Sequence, residues 1–185
     1  MVENNETLAP FTMPINVRTL PKKGKHLNYS APEPVLITIA KAYDLISVED
    51  FKADCLITPW KRDGVELRGT VRANITQPCA ITAAPLQAIV KEKVEMFFVP
   101  DGSKLAKPRL NEEGEWVFDI DGTEIPDTYL GDSIDMAAVW LEFFSMGIDF
   151  FARLDGAEIH TVSPFEEEGI RPESPFAALA ALKKH

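Results

Sequence analysis

Residues 65–75 read Val-Glu-Leu-Arg-Gly-Thr-Val-Arg-Ala-Asn-Ile, with an apolar or small side chain at every second position. A period of two is typical of a β-strand that buries one face and exposes the other. The buried face would hold Val65, Leu67 and Val71. Gly69 falls in the same phase, and a glycine inside a strand marks a bulge or a close backbone approach. We therefore predict a long, half-buried strand in which Gly69 has a structural role.

Two further segments alternate in the same way, one on each side of this strand along the chain. Their inward-facing residues are Phe51, Ala53, Cys55 and Ile57 before it, and Leu86, Ala88, Val90, Val94, Met96 and Phe98 after it. The sequence Arg62-Asp63-Gly64 suits a hairpin turn between the first two strands. A longer loop at residues 78–85 joins the second strand to the third. This order favours an antiparallel meander.

The most apolar part of the chain predicts one long helix. It would be capped by Asp132 or Ser133 and would run to about Asp149, with apolar residues around most of its circumference. Such a helix belongs in the centre of a core. Asp135, Glu142 and Asp149 are each seven residues apart and share one stripe of it. We interpret that stripe as a solvated edge rather than a catalytic or metal-binding cluster.

Shorter helices are expected beside Pro34 and Pro175, because proline suits the first turn of a helix. The predicted fold is therefore α+β: an antiparallel sheet of four or more strands packed on one long apolar helix, with flanking helices. At 185 residues the chain fits a single domain over residues 1–185. An acidic loop region is expected at about residues 100–131.

The net charge of −10 is unevenly distributed. Residues 1–108 contain 14 Lys and Arg against 12 Asp and Glu, whereas residues 109–185 contain 5 against 17. This balance excludes a globally basic nucleic-acid-binding protein, but it leaves room for a local basic face. The acidic half is either solvated surface and linker or a docking surface for a basic partner.

Several features point to a protein of the cytoplasm. No apolar run approaches the roughly 20 residues of a membrane span, and the polar N-terminus lacks the pattern of a signal peptide. Cys55 and Cys79 do not form the cysteine framework of a secreted protein. We predict a cytoplasmic location, no membrane partner and no DNA partner.

Motifs for enzymatic chemistry are absent from the sequence. It has no glycine-rich phosphate loop, no Gly-x-Ser-x-Gly and no His-Glu-x-x-His. His26, His160 and His185 are scattered, and the two cysteines form no Cys-x-x-Cys motif. We predict no catalytic residue, no cofactor and no metal site. A small enzyme that uses Cys79, with a base such as His160 brought close by the fold, remains an alternative.

A family resemblance lies in residues 69–85, which read Gly-Thr-Val-Arg-Ala-Asn-Ile-Thr-Gln-Pro-Cys-Ala-Ile-Thr-Ala-Ala-Pro. The segment resembles the signature of the YceD-like family, the large ribosomal RNA subunit accumulation proteins. That signature has a Gly, alternating residues with Ala, Gln-x-Cys-x-x-Thr and a Glu-Pro pair. The matching residues here are Gly69, Gln77, Cys79, Thr82 and Pro85. Residues 46–53, 131–135, 141–142 and 175–183 are similar to other segments of the family in the same order.

The segment also departs from the family pattern. Ala84 stands where the family usually has Glu, and many bacterial members have a second Cys near the position of Thr82, which this chain lacks. The resemblance therefore implies no metal site in this chain. We expect Gly69 and Pro85 to be structural, and Gln77 and Thr82 to satisfy backbone groups of the loop.

The resemblance implies a function in ribosome biogenesis. The chain would be a non-enzymatic bacterial accessory factor in 23S rRNA accumulation or processing and in assembly of the large subunit. Its partners would be ribosome assembly components, either a ribosomal protein or pre-rRNA. An acidic protein-interaction adaptor without RNA contact is the main alternative, and it agrees with a pI near 4.8.

Direct contact with RNA would use the solvent face of the second and third strands. By the period of two, Arg68, Arg72, Lys91 and Lys93 point outward together and form a possible polyanion-binding face. Further cations from the loop at residues 22–25 and from Lys61 and Arg62 could extend it, whereas Glu66 and Glu95 dilute it. The alternative is an ordinary solvated sheet face.

Overall fold

The computed structural model describes residues 9–106 and 126–157, together with the backbone of two short strands at 109–110 and 116–117. The chain divides into two units, Met1–Leu154 and Asp155–His185. The helices and strands described here all belong to the first unit. The expected single domain over residues 1–185 stays a prediction.

Nine strands and two helices make up the described fold. The strands are β1 (Pro14–Asn16), β2 (Lys25–Ser30), β3 (Ser47–Trp60), β4 (Gly64–Pro78), β5 (Pro85–Pro100), β6 (Arg109–Leu110), β7 (Trp116–Val117), β8 (Asp127–Tyr129) and β9 (Ser133–Asp135). The helices are α1 (Glu33–Ala42) and α2 (Met136–Met146), and a short 3-10 turn spans Lys104–Ala106. Strands β3, β4 and β5 are the longest, with 14, 15 and 16 residues.

The main sheet has five strands in the order β2-β3-β4-β5-β8. Strands β2 to β5 are antiparallel neighbours, and β8 is parallel to β5. Separate two-stranded antiparallel pairs are formed by β1 with β9 and by β6 with β7. The hairpins β3–β4 and β4–β5 hold most of the backbone pairing, as a meander of consecutive strands requires.

The predicted antiparallel sheet on one long apolar helix is wrong. The described fold is mainly β, its sheet is mixed because β8 joins it in parallel, and its helices are short. Helix α2 begins later than expected because residues 133–135 are extended and pair with β1. It ends at Met146, before Gly147. The buried residues Ile134 and Ile148 thus belong to a strand and to a loop, although their apolar side chains continue the helical pattern.

Helix α1 begins beside Pro34, as its position in the first turn suggests. The helix expected near Pro175 lies outside the described residues. So does most of the acidic region expected at about 100–131.

The core lies between the inner face of the main sheet and the two helices. Trp140 and Phe144 of α2 are fully buried against this face. The ring of Phe144 meets those of Phe51 and Tyr43 edge to face, with centroids 5.5 and 5.4 Å apart. Tyr43 also donates a hydrogen bond to the carbonyl oxygen of Leu141, 3.2 Å away. Tyr43, the residue after α1, thereby joins that helix to α2.

A β-bulge interrupts β3 between Glu49 and Lys52. Within it, Asp50 has a φ of 54°, in the left-handed region. One extra residue reverses the phase of alternation, so Val48 and Phe51 are both buried although they are three residues apart. Strand β2 pairs with β3 only from Lys52 onward.

Candidate functional site

Four of the five residues of the family-like motif, namely Gln77, Cys79, Thr82 and Pro85, lie at the end of the β4–β5 hairpin. Gly69, in mid-strand, lies opposite Cys55 of β3. A Cβ built on Gly69 would lie 2.5 Å from the Cα of Cys55 and 2.6 Å from its Sγ. No side chain fits there, so the glycine allows β3 and β4 to approach. Pro85 begins β5 and pairs with Pro78, which closes the ladder.

The loop at residues 79–84 is held by its own backbone. The Cys79 amide donates to the Ala84 carbonyl at 2.8 Å, and the Ala83 amide donates to the Cys79 carbonyl at 2.9 Å. Ala83 has a φ of 58°, as a tight turn requires. The Thr82 hydroxyl accepts a hydrogen bond from the Ala84 amide at 3.4 Å.

This motif loop is docked on the segment that follows α2. Gln77 is buried, and its Nε2 donates to the carbonyl oxygen of Asp149 at 3.0 Å. The Ala80 amide donates to the Ala152 carbonyl at 2.9 Å. The Leu154 amide donates to Cys79 Sγ at 3.4 Å. The motif residues thus join two segments that are about 70 residues apart in sequence.

The two cysteines are in opposite electrostatic environments. The hydroxyl of Thr82 and the backbone amides of Leu154, Thr82 and Ile81 donate hydrogen bonds to Cys79 and lower the pKa of its thiol to about 6. Burial raises the pKa of the Cys55 thiol. Hydrogen-bond donors directed at a sulfur favour the thiolate over the thiol. The sulfur of Cys79 thus accepts hydrogen bonds that help to hold the loop.

Cys79 lies at the contact between the motif loop and the segment that follows α2. Its side chain is only 3% exposed, and the hydrogen bonds around it come from backbone and from Thr82. His160, the base expected for a Cys79 enzyme, lies outside the described residues. Within residues 9–106 and 126–157, no group of three or more His, Cys, Asp and Glu side chains could hold a metal ion.

The outer face of the sheet carries the cations expected there. Arg68, Arg72, Lys91 and Lys93 are all exposed. The register places Arg72 of β4 opposite both Lys52 of β3 and Lys91 of β5. Lys52, Arg72 and Lys91 therefore form one row across three strands, here called the cationic row. Neighbouring strands are about 4.8 Å apart, so the row spans roughly 10 Å.

Acidic neighbours divide the four expected cations into two pairs. Arg68 forms ion pairs with Glu66 at 2.7 Å and with Glu95 at 3.1 Å. Lys93 also pairs with Glu95, at 3.1 Å, and the Lys93 ammonium group is the main cause that lowers the pKa of Glu95. Among the described residues, by contrast, neither Arg72 nor Lys91 has an acidic side chain at ion-pairing distance.

Sequence reasoning missed Lys52 and one aromatic cluster. Lys52 is paired with Asp50 in the bulge, and its place beside Arg72 depends on a register that the sequence pattern does not reveal. Trp60 packs on Phe97 with ring centroids 4.6 Å apart, and the Lys61 ammonium group lies 4.1 Å from the Trp60 ring.

In the part of the chain that the structure covers, neither helix combines the length and apolar character needed to cross a bilayer. No protein-family model matches the sequence, and comparisons with curated proteins and with solved structures find no match.

Proposed function

We propose that this protein is a non-enzymatic cytoplasmic factor in biogenesis of the large ribosomal subunit, that it supports accumulation of 23S rRNA, and that it contacts RNA through the cationic row. One observation carries the RNA contact: Lys52, Arg72 and Lys91 are adjacent and exposed on a chain whose net charge is −10. The choice of 23S rRNA rests on the resemblance of residues 69–85 to the YceD-like family.

The cost of assembling the row supports a polyanionic ligand. Like charges directly opposite each other in neighbouring strands destabilise a sheet. Arg68 and Lys93 avoid that cost through Glu66 and Glu95, whereas Arg72 and Lys91 face each other. Phosphate groups of RNA would supply the missing negative charge, and arginine suits them because its guanidinium can donate two parallel hydrogen bonds.

The row favours contact with the RNA backbone rather than with bases. Its members are cations, and its neighbours among the described residues are the polar residues Thr70 and Ser30 and the carboxylates of Asp50 and Asp54, without an aromatic ring. Contacts to phosphate position a protein on RNA but do not read its sequence. Sequence-specific readout of RNA usually needs bases stacked on aromatic rings. We expect binding that depends strongly on salt and weakly on sequence.

The salt dependence of RNA affinity tests this contact. Lys52 is left in place, because it is already paired with Asp50. The double variant Arg72→Gln, Lys91→Gln should flatten the slope of log affinity against log salt by about 1.4, since each lost contact to a single strand removes about 0.7. The matched control is Arg68→Gln, Lys93→Gln. It removes two cations that already have acidic partners, so its slope should change by less than about 0.7. Equal slopes for the double variant and the unmodified protein would contradict the proposal.

The cellular function needs a separate experiment. Depletion of the protein should lower 23S rRNA and free large subunits while 16S rRNA is comparatively preserved. Sedimentation of lysates with quantification of both rRNAs would measure this. Equal loss of the two rRNAs would indicate a general growth defect and would contradict the ribosomal function.

A further inference from the structure

A groove of about 440 Å³ lies between α1 and the beginning of β3. Leu36 and Ile37 of α1 line one wall, and Ile46 and Val48 line the other. Ile37 is 64% exposed and Ile46 is 54% exposed. Two large aliphatic side chains thus face solvent across a concave surface, as is typical of sites that bind apolar side chains of a partner.

The strand that borders this groove has an open edge. Residues 47–49 pair with β4 on one side, and the ladder with β2 starts only at Lys52. In the described part of the chain, no strand pairs with residues 47–49 on the other side. The bulge after Glu49 separates this short edge from the paired part of β3.

The direction of the backbone groups at this edge follows from one hydrogen bond. The Ile46 amide donates to the Thr76 carbonyl of β4 at 2.8 Å. Backbone groups of successive residues in a strand point to opposite sides. The N–H and C=O groups of Ser47 and Glu49 therefore point away from β4, toward the position that an added strand would occupy.

We propose that the groove binds an extended segment of a partner protein, with alternating aliphatic and basic residues, as an added strand along residues 47–49. Side chains of an added strand alternate between the two faces of the sheet. Those on the inner face would meet Ile37 and Ile46. Those on the outer face would lie beside Glu49, which is exposed. Addition of a strand to a free edge beside a helix is a common mode of peptide recognition.

Charge favours a basic partner over a neutral one. Two carboxylates, Glu33 and Glu49, and one ammonium group, Lys41, line the groove, so its lining carries one more negative charge than positive. Negative charge at the rim accelerates the approach of a cationic segment. This inference goes beyond the proposed contact with RNA, because the groove and the cationic row share no residue.

The probe for this site is a fluorescein-labelled hexapeptide of alternating lysine and valine. Its binding to the full-length protein is measured by fluorescence anisotropy. Ile37→Ser and Ile46→Ser should each weaken binding about tenfold, because each removes several apolar groups from the contact. Ile89→Ser is the matched control. Ile89 is 66% exposed on β5, outside the groove, so its substitution should leave binding unchanged.

Three further measurements test the strand addition and the position of the peptide. N-methylation of alternate peptide bonds removes the donors that an added strand needs and should abolish binding, although the peptide keeps its charge. Glu49→Lys should weaken binding about tenfold, whereas Glu142→Lys, on exposed α2 surface, should not. In hydrogen-exchange NMR, the amides of Ser47 and Glu49 should become protected when the peptide binds.

Three results would overturn the proposal. Binding that is insensitive to Ile37→Ser, Ile46→Ser and N-methylation would show that the basic peptide is attracted to an acidic surface outside the groove. Dimers that dissociate on Ile37→Ser in sedimentation would show that a second copy fills the groove. Absence of binding to the full-length protein would mean that the groove is not open to a partner. None of these results bears on the salt slope of RNA binding.

Discussion

Gly69 of β4 and Cys55 of β3 lie directly opposite each other, and a Cβ on Gly69 would come within 2.5 Å of the Cα of Cys55. The obstructing atoms include backbone, so the strands would have to separate. Gly69→Ala should lower the free energy of unfolding by about 3 kcal/mol, at the upper end of the cost of overpacking. Urea denaturation measures it. Thr70→Ala, the exposed neighbour, should change stability by less than about 0.5 kcal/mol. Equal effects of the two substitutions would contradict the close approach.

Asp135 holds the N-terminal segment to the start of α2. Its Oδ1 accepts hydrogen bonds from the amide of Met13 at 2.7 Å and from that of Ala137 at 3.0 Å. Asp135→Ala removes a helix cap and a bond between distant segments, so we expect the free energy of unfolding to fall by about 2 kcal/mol. Glu142→Ala, on exposed α2 surface, should stay within about 0.5 kcal/mol. Thermal unfolding of both variants tests the difference.

The thiolate of Cys79 should make stability depend on pH. Hydrogen bonds from Thr82 and from backbone amides lower its folded pKa to about 6, whereas an unfolded thiol titrates near about 8.5. The unfolded state thus binds more protons between these values, so stability rises with pH from about 6 to about 8.5. This contribution is complete above the unfolded pKa and is lost as the pH falls through the folded one. Urea midpoints across this window should show the rise.

Three variants serve as controls for that pH dependence. Cys79→Ser should lose the rise, and Thr82→Val should reduce it, because the Thr82 hydroxyl is the first cause of the lowered pKa. Cys55→Ala should keep it, because the pKa of Cys55 is raised by burial and not lowered. Parallel curves for Cys79→Ser and the unmodified protein would show that Cys79 does not titrate in this range.

The cationic row should cost stability when no ligand is bound. Arg72 faces Lys91 across the β4–β5 pair, so Arg72→Gln should stabilise the protein by up to about 0.5 kcal/mol at low salt. The gain should shrink as salt screens the charges. Arg68→Gln should show no gain, because Arg68 has two glutamate partners. A loss of stability in Arg72→Gln would mean that the row is compensated in another way.

The alternating pattern predicts the inner face of the long strands well, because side-chain direction in a strand is a local property. The pattern does not predict pairing between strands that are far apart in the sequence. The extended conformation of residues 133–135 depends on β1, and the parallel pairing of β8 with β5 joins segments with no shared local signal. The apolar side chain of Ile134 continues the pattern of the helix that follows, and a short segment of this kind suits a strand or a helix equally.

In the candidate site, too, the sequence predicts the direction of side chains but not the register of the strands. The outward direction of Arg68, Arg72, Lys91 and Lys93 follows from the period of two. Which of them lacks a counter-ion depends on the register, which places Glu95 opposite Arg68 and Lys91 opposite Arg72. Lys52 lies on the outer face, opposite Arg72, only because the bulge adds one residue to β3 and so reverses the alternation of its side chains. The groove beside α1 depends on where β2 stops pairing, and no sequence pattern marks that point.

The pairing of β1 with β9 has a consequence for the order of events during translation. Met13 and its partner Asp135 are 122 residues apart, and at about 5–20 residues per second a ribosome needs roughly 6–25 s to span that distance. Ile15 and Val17 are buried in the folded protein. Their partners Ile134 and Asp132 are synthesised only after that interval. The nascent β2–β5 meander can close in the meantime. The first core residues to be synthesised are therefore among the last to be buried.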